Sequence, residues 1–331
     1  MPLSPISLPR DFSPLTELAI DAFQYPENPA WNLQQDEAED TARMMKNLQR
    51  LWPLIRPLML VSPPLRDILR GYFWLDETGK AVGSSVIQRL GESDAWVIGN
   101  VAVLPGYRRQ GIGRRLVIAC LDLIRERGGK LAWLEVVKGN LPAYELYLRL
   151  GFEPYSSEVV LERRPPYPEV EVDFPADVKL ESWSRYNWRP RYSLDQRIVP
   201  DAVKKYQPVE ERSYRSPLAM RVLGPILMLA QGSRPAHFLI RETSGGRPLA
   251  IFGSNIPGRH GGLARLQARL DPDRPDLAQP LVASLLGRLA RVGGTQRTEW
   301  ILKSWMPALI EAAEQAGFAR EYEAISMGRE V

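Results

Sequence analysis

The chain has 331 residues, enough for two domains of about 100–200 residues each, and its 43 basic against 39 acidic residues leave a formal charge of +4, too small and too interspersed to make nucleic acid the main partner. Its one cysteine, Cys120, excludes an internal disulfide and points to a reducing compartment, and with only His237 and His260 beside it no His/Cys metal set can be assembled, so no metal is expected. The N-terminus has no basic segment leading into an apolar one, and the apolar run at 218–230 is short and interrupted by Arg221, so the expectation is a cytoplasmic protein with no membrane partner.

In chain order, residues 6–8 read as a short strand, and Asp11 or Ser13 can cap a helix over Leu15, Leu18, Ala19, Ala22 and Phe23. Residues 25–31 read as loop. A helix from Asp36 places Ala38, Ala42, Met45, Leu48, Leu51 and Ile55 on one face, bent or broken near Pro53 and Pro57, and a shorter helix spans 63–69. Two β-rich runs, 71–75 and 81–90, flank the turn D-E-T-G-K, and a third strand covers 95–103. Helical spacing resumes over 116–124, with Cys120 a core residue, until Gly128 and Gly129 end it. A buried strand at 130–137, a helix at 141–150 closed by Gly151, and a strand at 159–161 complete the order β-α-α-β-β-β-α-β-α-β. That order implies an α/β (α+β) layer structure, a mixed sheet flanked by helices.

The stretch from Val101 to Gly113, V-A-V-L-P-G-Y-R-R-Q-G-I-G, describes a strand running into a turn that opens a helix. Pro105 cannot continue the sheet ladder. At the helix start the backbone N–H groups from Arg109 to Arg114 have no intrahelical partner, and the helix dipole favours an anion. Gly111 and Gly113 allow close backbone approach, while Arg108, Arg109, Arg114 and Arg115 add charge. Such a turn can hold a pyrophosphate.

The proline-rich residues 163–168 mark a boundary, and the second half repeats the first. F-W-L-D-E-T from Phe73 returns as F-L-I-R-E-T from Phe238, a shift of 165 residues; Pro105 and Trp133 match Pro272 and Trp300 at 167; Gly151-Phe152 matches Gly317-Phe318 at 166. The expected division is 1–164, a linker at 165–177, and 178–331. Carried over at 167, residues 108–113 land on P-D-L-A-Q-P at 275–280, which has no glycine, carries Asp276 and loses a donor at Pro280, so this copy lacks the cradle.

The residues R-x-x-G-x-G at 108–113, after V-A-V-x-P, together with N-x-x-A-x-x-x-Y-x-x-x-G-F from Asn140 to Phe152, resemble the two signatures of the GNAT superfamily of acetyl-CoA-dependent N-acyltransferases. Close resemblance covers about residues 70–162, and 178–331 follow as a degenerate second copy, so the resemblance implies a GNAT-like fold occurring twice in tandem. It further implies acetyl-CoA in a V-shaped split between the strands ending at Val103 and Val137. Main-chain groups of Val101, Ala102 and Val103 would take the pantetheine arm, and Arg108, Arg109, Gln110, Gly111, Ile112, Gly113 and Arg114 the pyrophosphate. The acceptor, a small-molecule or peptide amine, would attack the thioester directly, in a monomer or homodimer.

By the same resemblance Tyr147 would protonate the departing thiolate, the alternative being a buried aromatic whose hydroxyl meets the backbone. Asn140 reads as a helix cap or a contact to the CoA arm. The glutamate many members carry on the strand before the loop is replaced here by Val97. Glu135 is then the nearest base, or a structural ion pair, with Asp94, Glu145 or water as substitutes. Trp31, Met44, Met45, Trp52, Tyr72 and Trp74 are candidates to line the acceptor site, and Glu37, Glu39 and Asp40 either attract a cation or answer the helix dipole. The competing reading is a non-catalytic acyl-CoA-binding or sensing protein, or a pseudo-enzyme scaffold.

Overall fold

The structure, a computed structural model, describes residues 2–24, 32, 35–61, 69–215, 221, 224–225, 232–258, 262–293 and 296–331. Trp31 and the loop around it, all but the end of the helix expected at 63–69, most of the apolar run at 218–230, and His260 lie outside the described residues, as do the side chains of Glu37, Asp40 and Met44.

The first half contributes β1 (Leu3–Pro5), α1 (Phe12–Ala22), α2 (Gln35–Val61), β2 (Arg70–Leu75), β3 (Ala81–Arg89), β4 (Ala95–Val103), α3 (Ile112–Glu126), β5 (Leu131–Val137), α4 (Leu141–Arg149) and β6 (Glu153–Arg163). Residues 164–177 carry neither helix nor strand. The second half contributes β7 (Val178–Ser182), α5 (Arg189–Ile198), α6 (Asp201–Lys204), α7 (Glu211–Tyr214), β8 (Ser233–Glu242), β9 (Pro248–Pro257), β10 (Ala264–Leu270), α8 (Ala278–Arg288), β11 (Thr298–Lys303), α9 (Pro307–Gln315) and β12 (Ala319–Glu330). The mixed sheet flanked by helices is as the sequence predicts. Three element expectations are corrected. The strand expected at residues 6–8 lies at Leu3–Pro5 and the chain leaves it by Ser7, because the Asp11 carboxylate accepts the Ser7 N–H at 2.7 Å and the Ser7 carbonyl accepts the Asp11 N–H around a turn that begins at Leu8. Helix α2 runs unbroken through Pro53 and Pro57. The strand expected at 159–161 begins at Glu153, its polar first part being paired on β12.

The twelve strands among the described residues form one sheet in the order β1-β2-β3-β4-β5-β12-β6-β11-β10-β9-β8-β7. The two copies therefore exchange their last strands. β12, the end of the second half, lies antiparallel between β5 and β6, and β6, the end of the first half, lies antiparallel to β11. The cores follow: Met327 of β12 is fully buried under α3 and α4 with Leu134 and Phe152, whereas Val159 and Leu161 of β6 pack with Trp300 under α8 and α9. Each half closes the other's open sheet edge.

Alternation along the strands refines the repeat. On β5 it is Ala132, Leu134 and Val136 that enter the core under α3 and α4, so Trp133 points to the opposite face, while Trp300 is buried in the corresponding core of the second copy. Trp300 therefore answers Leu134, not Trp133, and the shift is 166, the same as for Gly151-Phe152; a one-residue slip would put every side chain on the wrong face.

Candidate active site

Parallel strands β4 and β5 are registered only at Ala95↔Leu131, Trp96↔Ala132 and Val97↔Trp133, and beyond Val97 they run on toward Val103 and Val137 without further pairing. A split opens there. Its β4 wall is shaped by a bulge: the β3 register jumps from Ser84↔Ala102 to Val86↔Gly99, so one residue of β3 faces two of β4. Asn100 sits at the bulge with φ +51°, its Nδ2 donating to Ser84 Oγ at 3.2 Å. The motif reading missed this bulge. The signal was present, since asparagine is among the few non-glycine residues that tolerate the left-handed region.

Past Val103 the chain makes one 3-10 turn over Pro105–Tyr107 and enters α3 through Gly111 at φ +76°. Arg109 is also left-handed, at +64°. Arg115 N–H makes the first α3 bond, to the Gly111 carbonyl at 3.1 Å, so the amides of Ile112, Gly113 and Arg114 precede the intrahelical ladder at the positive end of the dipole. Arg109, Gln110 and Arg114 are exposed around this point, and Arg115 lies over the Trp74 ring at 5.3 Å. These residues fit a pyrophosphate. Arg108 is differently employed: its Nε donates to the Val103 carbonyl and its Nη2 to that of Ala22.

Asn140 caps α4, its side-chain oxygen accepting the Ala143 N–H at 3.3 Å. Tyr147, two turns on, is buried in the core beside Phe152, with ring centroids 6.1 Å apart. Glu135 lies on the splayed part of β5, on the opposite face from that core and directly across from Ser326 of β12. Its side chain keeps accessible surface, yet the surrounding protein limits hydration enough to push its pKa up, against the pull of Lys303. Lys303, on β11, is itself shifted down by burial and held up by Glu135, and it is ion-paired with Glu158 of β6. The other carboxylates sit elsewhere. Asp94 is at the far end of β4, beside Arg89, Lys130 and Arg212, and Glu145 is exposed on α4 with Arg149.

Of the expected acceptor-lining residues, Met45 and Trp52 are half-buried on α2, and Trp52 meets Phe12 edge-on at 5.5 Å. Tyr72 and Trp74 are corrected: both lie on the α3 side of the sheet, packed with Val103, Ile112 and Leu116, while Phe73 between them faces α1. Cys120 is fully buried, its thiol pushed up to about 12 by burial.

In the second copy parallel strands β10 and β11 are likewise registered only at Ala264↔Thr298, Arg265↔Glu299 and Leu266↔Trp300, but the outer strand pairing and the turn differ. β10 pairs with β9 without interruption, so the bulge is absent, and the 3-10 turn Pro275–Leu277 runs straight into α8. Asp276 occupies the turn with Arg274, which also holds Asp177 at 3.0 Å.

Residues 26–152 match the family model for the acetyltransferase (GNAT) family. This segment is a GNAT acetyltransferase-family domain. A tandem GNAT protein from the clavulanic acid biosynthesis pathway shares the fold over 99% of this chain and 98% of its own, with a TM-score of 0.62 and 14% identity. The chain is 39% identical over 80 residues to the ribosomal protein bS18-alanine N-acetyltransferase of Escherichia coli, covering 24% of this chain and 53% of that enzyme. It is 38% identical over 74 residues to the streptothricin acetyltransferase of Streptomyces lavendulae, covering 22% and 39%. The matched segment thus spans about half or less of the length of these relatives. Among the described residues no helix is long and apolar enough to cross a membrane.

Proposed function

We propose that the chain is an acetyl-CoA-dependent N-acetyltransferase that transfers an acetyl group to the amine of a small molecule or peptide, and that its first copy alone is catalytic. The observation that carries this reading is the difference between the copies: among the described residues the first combines a bulged β4 with a glycine-entered helix start, and the second has neither.

Acetyl-CoA, when bound, supplies a thioester carbonyl open to direct attack. The amides of Ile112, Gly113 and Arg114, with Arg109 and Gln110 around them, hold the pyrophosphate. Main-chain groups of Val101 to Val103, which follow the Asn100 bulge, hold the pantetheine arm. A positioned neutral amine needs no covalent enzyme intermediate. Glu135, raised in pKa and on the face covered by α1, accepts the amine proton, and Tyr147 returns one to the departing sulfur. Asn140 fixes the start of the helix that carries Tyr147.

Calorimetry with acetyl-CoA and a mass-spectrometric screen of amines for the acetyl increment, run on wild type and Gly111→Val, test this. Valine is strained at φ +76°, so the variant should lose both binding and transfer. Binding without transfer to any amine would favour a sensing role, and equal CoA affinity in the variant would overturn the turn assignment.

A further inference from the structure

The second copy, which lacks the cradle, contains a cavity of about 680 Å³ on the sheet face covered by α5 to α7, within the range of small-molecule sites. It is built by both copies. Gln88 and Leu90 of the β3–β4 hairpin complete a wall otherwise made by the second half, and the hairpin is fastened there by the Glu92 N–H on the Arg212 carbonyl and by the Arg212–Asp94 ion pair. The walls are aromatic, with Trp183, Trp188, Tyr214 and Trp305, and cationic, with Arg185, Arg191, Arg215, Arg269 and Lys303. Asp195 is the one carboxylate among the described lining residues.

Asp195 is already engaged. The Tyr214 hydroxyl donates to its Oδ2 at 2.8 Å, Arg191 lies 3.6 Å from the same oxygen, and Arg269 Nε faces Oδ1 at 3.8 Å, beyond hydrogen-bond reach. Lys303 is balanced by Glu158. The unmatched polar atoms are mostly donors: Arg269 Nε and Trp305 Nε1 have no hydrogen-bond partner, and neither has His237 Nε2. Because the Gln267 amide nitrogen donates to His237 Nδ1 at 2.8 Å, the neutral ring carries its proton on Nε2. Burial, with Arg185 and Arg288 nearby, lowers His237 to about 4, so the ring is neutral near pH 7. Three orphaned donors against one orphaned acceptor, Asp195 Oδ1, describe a site that wants an acceptor-rich anion, since each buried donor without a partner is destabilising. The ring-lined walls select a flat one.

We propose that this cavity binds a small ring-bearing carboxylate, its anion answered by Arg269, His237 and Trp305 and its ring lying among Trp183, Trp188 and Tyr214. The site is separate from the cofactor turn of the first copy and shares with the proposed base only Lys303, which lies between them. It gives the altered copy a role as a ligand-binding module.

Calorimetry of the full chain with 4-hydroxybenzoate, its neutral twin 4-hydroxybenzamide, and inorganic phosphate tests this. The carboxylate should bind at least tenfold more tightly than the amide, weaken as salt is raised, and resist displacement by phosphate. Trp305→Phe keeps the ring and removes the N–H; Arg191→Gln changes a side chain that is 48% exposed and so spares the fold. Both should weaken binding several-fold while leaving acetyl-CoA affinity unchanged. No heat from either aromatic, equal affinity for both, displacement by phosphate alone, or unaltered binding in both variants would each overturn the proposal.

Discussion

Arg108 Nη2 donates a 2.8 Å hydrogen bond to the carbonyl of Ala22, the last residue of α1, while its Nε donates to the carbonyl of Val103, the last residue of β4. The guanidinium thus clamps the C-terminal end of α1, where the helix dipole favours a cation, to the strand that feeds the cofactor turn. In the sequence Arg108 is the first letter of a phosphate-binding signature; in the fold it is a strut. Arg108→Met should therefore cost about 1–3 kcal/mol in denaturant unfolding, with a smaller loss of acetyl-CoA affinity than Gly111→Val. Unchanged stability with collapsed affinity would return Arg108 to direct phosphate contact.

Exchange of β6 and β12 predicts that neither half stands alone. Fragment 1–177 lacks Met327 from the core under α3 and α4 and leaves β5 without its β12 partner, whereas 178–331 lacks Val159 and Leu161. Expressed separately, the halves should aggregate or form larger species in size-exclusion chromatography, and co-expressed they should co-purify as one unit. A monomeric first fragment with the full chain's acetyl-CoA affinity would contradict this.

Local signals made the elements legible: periodicity placed β4 to within its observed ends and marked α3 over 116–124, and Asn140 reads as the cap of α4. The strand exchange was not legible, because which edge a strand pairs with depends on distant partners; residues 159–161 look like a strand in either arrangement. The same blindness assigned Tyr72 and Trp74 to the acceptor face, since aromatic content does not say which face of a strand meets which helix. It also matched Trp133 to Trp300, where residue identity outweighed strand alternation.

Asn100 supplies a test of the bulge. Valine at φ +51° meets the steric penalty of a β-branched residue in the left-handed region, about 1–2 kcal/mol, whereas glycine does not. Both substitutions remove the hydrogen bond to Ser84, so the difference between them isolates the backbone. Asn100→Val should be less stable than Asn100→Gly and bind acetyl-CoA more weakly. Equal behaviour would show that the bulge needs no left-handed residue.

Tyr147→Phe preserves the ring that meets Phe152 edge-on and removes only the hydroxyl. As general acid, Tyr147 should carry a factor of about 10² or more in kcat, with acetyl-CoA affinity nearly unchanged. A leaving group of lower pKa should rescue the variant in part. If kcat survives intact, Tyr147 serves the core alone.

Glu135 and Lys303, on β5 of one copy and β11 of the other, shift each other in opposite senses. Burial raises Glu135 and Lys303 lowers it; burial lowers Lys303 and Glu135 raises it. With Glu135 as base, activity rises with pH as its carboxylate forms, and removing the Lys303 charge must move that rise to higher pH. Lys303→Met alone would strand the buried Glu158, a loss of about 3–5 kcal/mol, so the informative variant is Lys303→Met with Glu158→Gln. Stability gives a second readout. A carboxyl whose folded pKa is raised binds more protons folded than unfolded, so its contribution is present below the ordinary glutamate value and is lost as pH rises through the raised one. Glu135→Gln should remove that loss from denaturant melts and flatten the acid limb of the pH–rate profile together; a limb that persists in Glu135→Gln would assign the proton to water.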